Sequence, residues 1–391
     1  MKKLLLFIVF CLSLISINSQ RRFDLKITVD NELRDVIIVQ PSHSAPPGGY
    51  PVVFMLHGTS GDGEKFYNIS GWKELGEEEN FITVFPSSLS WCFVEDGIEK
   101  HNTKWVNGDL LSIPCAGKPQ DYVDDVKFLK RIVQLIQDTL QVNSKMIFAS
   151  GFSNGSVMIH KLANDAGDVF AAVAGCSGPL TELDSITPVN RIPAWFMVGS
   201  LDDRYIVPPF TSLPFGGDSI LAYLSVFLNR ALVCQGLTQT FIKKESNITL
   251  TYIFNEAQAG MTSKPYLFTL IKDMTHEYPN GANYPLSAPK IFWEFFKQSV
   301  VTSTNEFENR DEKINIYPNP SDGILNIKAA NTKIERLDIY NSQGSKLLKV
   351  DQLKETYQMD LTQYPDGIYF IQLKTSYGNF TKNGLNVIMN K

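Results

Sequence analysis

The stretch from Met146 to Ala163 constrains this chain more than any other. Met146, Ile147, Phe148 and Ala149 form a continuous apolar run that leads through Ser150 into Gly151, Phe152, Ser153, Asn154 and Gly155. Val157, Met158, Leu162 and Ala163 then recur at helical spacing. A strand that turns sharply into a helix at Gly-x-Ser-x-Gly leaves the serine hydroxyl exposed at the strand's end, because the glycines let the backbone bend tightly. The N-terminus of the following helix then favours negative charge developing beside that serine. Val52 to Leu56, Phe81 to Phe85 (apart from Thr83) and Ala194 to Val198 are similar apolar runs, as expected of strands covered on both faces. Between them Tyr122, Val126, Leu129, Val133 and Ile136 make one helical stripe, with Asp121 or Asp124 available as its cap. Strands alternating with helices predict an α/β fold with a mainly parallel sheet. Residues 23–29 and 33–40 read as two further strands about a turn at Asp30 and Asn31, and residues 289–299 as a closing helix with an aromatic face.

Both ends have a different character. Lys2 and Lys3 precede about twelve mainly apolar residues, Leu4 to Ile15, a run too short to span a bilayer as a helix. Residues 1–19 are therefore expected to be a signal peptide, with Ser19 the last residue before cleavage. Removing Lys2 and Lys3 takes the formal charge from −5 to −7. No basic excess is left to attract nucleic acid, and no later segment is apolar enough to span a membrane. At the other end, residues 301–313 are polar and acidic without an apolar period, and read as a linker. From Ile314 the chain becomes short alternating strands, including Ile324 to Ile327, Leu337 to Tyr340 and Ile368 to Leu373. Turn signals separate them at Pro318-Asn319-Pro320, Ser321-Asp322-Gly323, Ser342-Gln343-Gly344 and Pro365-Asp366-Gly367. Residues 314–391 are expected to form a small all-β sandwich.

Export bears on the cysteines. Five in the chain, less Cys11 in the signal, leaves Cys92, Cys115, Cys176 and Cys234, an even number in a disulfide-permissive compartment. Cys92 and Cys115 flank one long loop, which makes their pairing the local choice. A Cys176–Cys234 bridge follows by remainder. There is no Cys-x-x-Cys, His-Glu-x-x-His or Cys/His cluster, so neither a metal nor a cofactor is expected. Gly58 and Gly63 have the spacing of a phosphate-binding loop, but Glu64 and Lys65 stand where Lys and Ser/Thr should follow.

A serine nucleophile needs a base, and the chain has five histidines. His43 lies in an early Pro-rich loop, His57 ends a strand, His101 sits in the cysteine-flanked loop, and His160 falls in the helix after Ser153. His276 remains. It follows the apolar run around Tyr266 to Ile271 and precedes the last helix, which fits the chain order serine, acid, histidine. The acid should follow a strand between the two. Asp202 or Asp203, just after Ala194 to Val198, meets that requirement. The Asn154 N–H is one expected oxyanion donor, and the loop from His57 to Gly61 is where the second should lie.

Residues 33–300 resemble the secreted α/β-hydrolase esterases that include polyhydroxybutyrate depolymerases, feruloyl esterases and acetylxylan esterases. The resemblance rests on Arg34 to Pro41, Leu56-His57-Gly58-Thr59, Gly71-Trp72, Phe81 to Pro86 and Tyr122 to Val126. It continues in Gly151 to Gly155, Gly199-Ser200-Leu201-Asp202 and His276 to Gly281. It implies Ser153 as nucleophile, Asp202 as acid, His276 as base, and Thr59 with Asn154 as the oxyanion hole. Ser156, Glu277, Tyr278 and Asn280 depart from the family's usual residues. Residues 314–391 resemble the sorting domain of type IX secretion, through Tyr317 to Pro320 with Gly323, Asp338 to Asn341 with Gly344, and Pro365 to Tyr369. That resemblance implies a Gram-negative cell, export across two membranes and recognition by the secretion machinery. The sequence therefore leads to a secreted serine esterase, with residues 20–300 as its hydrolase domain, acting on acetyl or hydroxycinnamoyl esters of plant polysaccharide. Polyester depolymerisation is the runner-up, and a hydrolase-fold binding protein without turnover is the rival of another class.

Overall fold

A computed structural model describes residues 19–391 except 119, 182–186, 308–313, 319–320, 330–333, 342–344, 352–355, 366, 376–377, 381–385 and 390–391. The expected signal peptide before Ser19, most of the turn residues named at 319–320, 342–344 and 366, and the second half of the expected linker lie outside the described residues. The chain divides into two compact units, Met1–Thr302 and Ser303–Lys391.

The first unit opens with a hairpin of β1 (Arg21–Val29) and β2 (Glu32–Gln40), turning at Asp30 and Asn31 with positive φ at both, the signature of a type I′ turn. There follow β3 (Tyr50–Leu56), α1 (Gly63–Ile69), α2 (Trp72–Glu79) and β4 (Ile82–Pro86). An insertion then carries the antiparallel pair β5 (Ser90–Glu95) and β6 (Ile98–Thr103) and a short α3 (Gly108–Leu111). The alternation resumes with α4 (Asp125–Thr139), β7 (Val142–Phe152), α5 (Asn154–Asp165), β8 (Ala172–Cys176) and β9 (Ala194–Gly199). After α6 (Ser219–Tyr223) and α7 (Ser225–Gln235) come β10 (Ile242–Glu245), β11 (Thr249–Phe254), β12 (Tyr266–Ile271) and α8 (Ala288–Phe307).

One ten-stranded sheet organises these elements, in the order β1-β2-β4-β3-β7-β8-β9-β12-β11-β10. Its six central strands, β4 to β12 in that order, are parallel, and antiparallel pairs close both edges. β3 shows why its sequence is apolar throughout. Val52, Phe54 and Leu56 pack into the core beneath α4, α5 and α7, while Val53 and Met55 pack into the opposite core beneath α1, α2 and α8. Each such fully buried side chain contributes roughly 1.5–3 kcal/mol. Asp124 caps α4, accepting from the Lys127 N–H at 3.0 Å. Tyr122 falls outside the helix and packs its ring on Trp91 of the insertion instead, at 5.0 Å.

Three sequence expectations change. Cys92 and Cys115 are bonded, but Cys176 and Cys234 are free and buried, so the second bridge is not made. Cys176 ends a central parallel strand and Cys234 sits on α7 near the helix's end. The segment between Cys92 and Cys115 is a hairpin and a helical turn rather than a loop. Asp96 and Gly97, both at positive φ, make its tight turn. Finally, α8 continues through Val301 to Phe307, so the first half of the expected linker is helical. Among the described residues no helix is long and apolar enough to cross a membrane.

In the second unit, β13 (Ile314–Tyr317), β14 (Ile324–Ala329) and β17 (Thr356–Asp360) form one antiparallel sheet. β15 (Ile334–Tyr340), β16 (Lys346–Asp351), β18 (Gly367–Thr375), β19 (Gly378–Phe380) and β20 (Asn386–Met389) form another. Leu325, Ile327 and Met359 of the first share one core with Ile334, Leu337, Ile339, Tyr369 and Ile371 of the second. That is a small two-sheet β unit.

Candidate active site

Ser153 stands between β7 and α5 with φ 52° and ψ −123°, a conformation that costs a non-glycine residue roughly 1–3 kcal/mol and is held only by its surroundings. The surroundings are close. The Ser153 N–H donates to the Cys176 carbonyl at 2.8 Å, and the Val157 N–H to the Ser153 carbonyl at 3.0 Å. A side chain at Gly155 would meet the Leu56 carbonyl oxygen at 2.3 Å, and one at Gly151 the Gly155 oxygen at 2.3 Å. Both flanking glycines are thus required by close approach of backbone, and the turn projects the hydroxyl from the end of a central strand.

Asp202 and His276 come from loops after β9 and β12, which are adjacent and parallel. The loops are tied together. The Leu201 N–H donates to the Met274 carbonyl at 2.9 Å, and the Asp273 N–H to Ser200 Oγ at 2.8 Å. His276 Nδ1 lies 2.9 Å from Asp202 Oδ1 and 3.0 Å from Oδ2. His276 Nε2 lies 3.0 Å from Ser153 Oγ. The Asp202 side chain is fully buried, whereas that of Asp203 is 81% exposed, so the geometry chooses between the two. The other histidines stand away from this relay: His43 is exposed near Glu77, His101 lies on β6, and His57 and His160 are buried. Burial pushes both of the latter down to about 4.

The hydroxyl faces a cavity of about 510 Å³. Thr59 lies on its wall with Asn154, the positions where the resemblance puts the oxyanion donors. Gly58 abuts the serine: a Cβ there would stand 3.2 Å from Ser153 Cβ. The insertion supplies part of the remaining wall, as Glu95, Lys104 and Asp109, and Arg204 comes from the loop after Asp202. Lys104 is buried and lies 2.9 Å from Asp109, with its ammonium over the Phe93 ring. Asn154 is held from the same side. Its Oδ1 accepts the Trp105 N–H at 2.7 Å, and its Nδ2 donates to Asn107 Oδ1 and Asp109 Oδ2, both at 3.2 Å. Sequence reasoning passed over Glu95, Lys104 and Asp109 because they lay in a segment read as a loop. The Asp96-Gly97 pair, a hairpin signal, marked its true structure. Among the described residues the one group with metal-ligand spacing is Cys92, Glu99 and Cys115, whose sulfurs are joined to each other.

A sharp strand–turn–helix elbow on a mostly parallel sheet, with serine, aspartate and histidine brought together in that chain order, gives the first unit the α/β-hydrolase fold. Its sequence is similar to a bifunctional acetylxylan esterase/xylanase of Neocallimastix patriciarum, 23% identical over 170 residues, covering 44% of this chain and 22% of that protein. It is also similar to poly(3-hydroxyalkanoate) depolymerase C of Paucimonas lemoignei, 26% identical over 140 residues, covering 34% of this chain and 29% of that protein. The chain thus spans less than a third of the length of either relative. A solved acetyl xylan esterase from Aspergillus awamori superposes with a TM-score of 0.44 and 15% identity, covering 70% of this chain and 99% of that one. Residues 315–385 match the family described as a secretion system C-terminal sorting domain. The chain therefore carries a type IX sorting signal, directing it to the cell surface or beyond.

Proposed function

We propose that this protein hydrolyses carboxylic esters through an acyl-enzyme on Ser153. In this reading His276 Nε2 takes the Ser153 proton as Oγ attacks the ester carbonyl, and Asp202 holds the imidazole tautomer and stabilises the imidazolium. The Thr59 and Asn154 N–H groups receive the oxyanion. The alcohol leaves with the proton from His276, and water repeats the sequence to release the acid. The observation that carries the proposal is the unbroken relay Asp202–His276–Ser153, with contacts of 2.9 and 3.0 Å.

The substrate is an ester borne on plant polysaccharide, acetyl or hydroxycinnamoyl. A cavity wall with Glu95, Lys104, Asp109 and Arg204 supports a polar, hydroxyl-rich leaving group, and the acetylxylan esterase relative acts in the same direction. The depolymerase relative favours polyester as a second reading. Parallel assays on acetylated xylan, a feruloylated ester and a polyester film separate these. Turnover of the film alone would reject the polysaccharide reading. Failure to turn over even a simple aryl acetate would reject hydrolysis and leave a binding protein.

A further inference from the structure

Arg204 and Glu95 both line the cavity that Ser153 faces, and the protein leaves hydrogen-bonding capacity unused on each. Their side chains are 46% and 23% exposed, which puts them at the rim rather than the floor. The guanidinium approaches three carboxylates, Glu95 Oε1 at 3.8 Å, Asp96 Oδ2 at 3.9 Å and Asp203 Oδ1 at 4.0 Å. All three lie beyond hydrogen-bonding distance. Among the described residues only the Arg204 backbone N–H is bonded, to Asp202 Oδ1 at 3.2 Å. Glu95 Oε2 accepts from Lys100 at 2.6 Å, and Oε1 has no donor. Burial opposes charge on Glu95, but the Lys100 bond and the nearby Lys104 and Arg204 outweigh it and hold its carboxyl below the usual range. The free acceptor is therefore an ionised carboxylate at neutral pH.

Both sides of this gap are held from behind. Glu95 ends β5, the strand that the disulfide anchors at Cys92. Arg204 is tied to the buried Asp202 of the relay. A guanidinium only donates and a carboxylate only accepts. Across 3.8 Å an oxygen can stand about 2.8 Å from both, and it must accept from one and donate to the other. A hydroxyl does this. Ester and ether oxygens only accept, and a bare hydrocarbon ring does neither. The cavity of about 510 Å³ cannot enclose a polymer, so the alcohol side of a polymeric ester must leave across the rim.

We infer that Arg204 and Glu95 are specificity-determining residues for the alcohol side of the ester: Arg204 Nη1 donates to, and Glu95 Oε1 accepts from, one free hydroxyl of the acylated sugar ring. The inference rests on the polysaccharide-ester reading and deepens it, since a polyester has no hydroxyl between its ester links.

The acetates of a methyl xyloside and of cyclohexanol test it. They share the acyl group and a secondary ring alcohol, and differ in ring hydroxyls. Wild type should favour the xyloside ester in kcat/KM. Arg204→Met keeps the backbone bond to Asp202 but not the side-chain donor. It should lower the ratio of the two kcat/KM values by about 10–100-fold, the worth of one hydrogen bond to a charged group. Glu95→Met should lower the same ratio, and the double variant no further than the larger single, because one hydroxyl takes both bonds. An unchanged ratio in either variant overturns the proposal. So do equal proportional losses on both esters, which a mere tether of the hairpin would give. Should the variants not fold, the wild type decides with the monoacetylated xyloside and its singly deoxygenated analogues. One analogue must lose at least about 10-fold, and analogues that all react like the parent overturn the proposal. A wild type that hydrolyses an aryl acetate yet ignores ring hydroxyls would remove this inference and leave the esterase reading standing. No turnover of any ester would remove both.

Discussion

The parallel centre of the sheet and the insertion between β4 and α4 are held by different means. β3 and β7 are buried between two large apolar cores, and the serine elbow grows from the end of β7. The insertion has a small core of Trp91, Phe93 and Leu110, a disulfide between Cys92 and Cys115, and polar strand residues such as Glu99, Lys100 and His101. Yet it reaches both proposed oxyanion donors, through Trp105 to Asn154 and through Ser88 and Thr103 to the loop of Thr59. The two regions divide the labour. A large hydrophobic core is sufficient to hold a strained serine turn, whereas a segment too small for such a core is stapled so that it can hold its neighbours.

The largest expected effect lies on the parallel side. Ser153→Ala should lower kcat by roughly 10⁶-fold without unfolding the protein, because it removes one oxygen from a turn whose backbone bonds remain. A preparation that retains a tenth of wild-type turnover would break the assignment. Next in size, Asp202→Asn should cost roughly 10⁴-fold by favouring the wrong imidazole tautomer, while Asp203→Asn should be close to neutral. The reverse ranking would place the acid one residue further along.

On the insertion side the expected effect is on stability first. The disulfide has a sequence separation of 23, for which loop-closure entropy gives about 3 kcal/mol. Cys92→Ser/Cys115→Ser should therefore melt at lower temperature, and kcat should fall as the walls near Thr59 and Asn154 loosen. Cys176→Ala keeps that disulfide, so reduction should lower its melting temperature by as much as in the wild type. Unchanged melting and kcat in the double variant would show that the staple is dispensable.

A pH titration sharpens the same contrast, because one buried histidine lies on each side. His57 touches the insertion, and His160 lies on α5 with its Nδ1 2.8 Å from the Ser156 carbonyl. Burial lowers both from 6.5 to about 4. Between those values the unfolded chain binds protons that the folded chain does not, so stability should decline as pH falls from about 6.5 toward 4. His160→Gln should flatten part of that slope in denaturant titrations while leaving the shape of the kcat profile intact. A slope identical to wild type would show that His160 does not contribute.

The smallest effect concerns the second unit. A protein of residues 20–307, ending after α8, should match the full chain's turnover of a soluble ester. In the native host, loss of 314–391 should leave active enzyme in the periplasm. Normal secretion with weaker adsorption to insoluble polymer would instead make the unit a binding module.

What was legible in the sequence follows the same division. Runs such as Val52 to Leu56 announce themselves because strands buried on both faces carry few polar residues. Gly151 and Gly155 do so because a tight backbone approach excludes side chains. Chain order and elimination led to His276, and the Gly199 to Asp202 resemblance led to the acid that the geometry prefers over Asp203. The insertion was obscure because its strands are half polar and its order derives from a disulfide and cross-segment hydrogen bonds, neither of which leaves a period. Cys176 and Cys234 misled for a related reason, since parity counts thiols without knowing that both are buried in separate packing environments. The extension of α8 to Phe307 was missed because Val301 onward lacks the apolar stripe on which helix reading depends.

If Ser153 carries the acyl group during turnover, the acyl-enzyme can be trapped. The protein is mixed briefly with an activated acetyl ester, quenched in acid, digested and mapped by mass spectrometry. An acetyl adduct should appear on the peptide containing Ser153, formed at a rate compatible with turnover and absent from Ser153→Ala. Hydrolysis that proceeds with no adduct at Ser153, or with the kinetically competent adduct on another side chain, would contradict it.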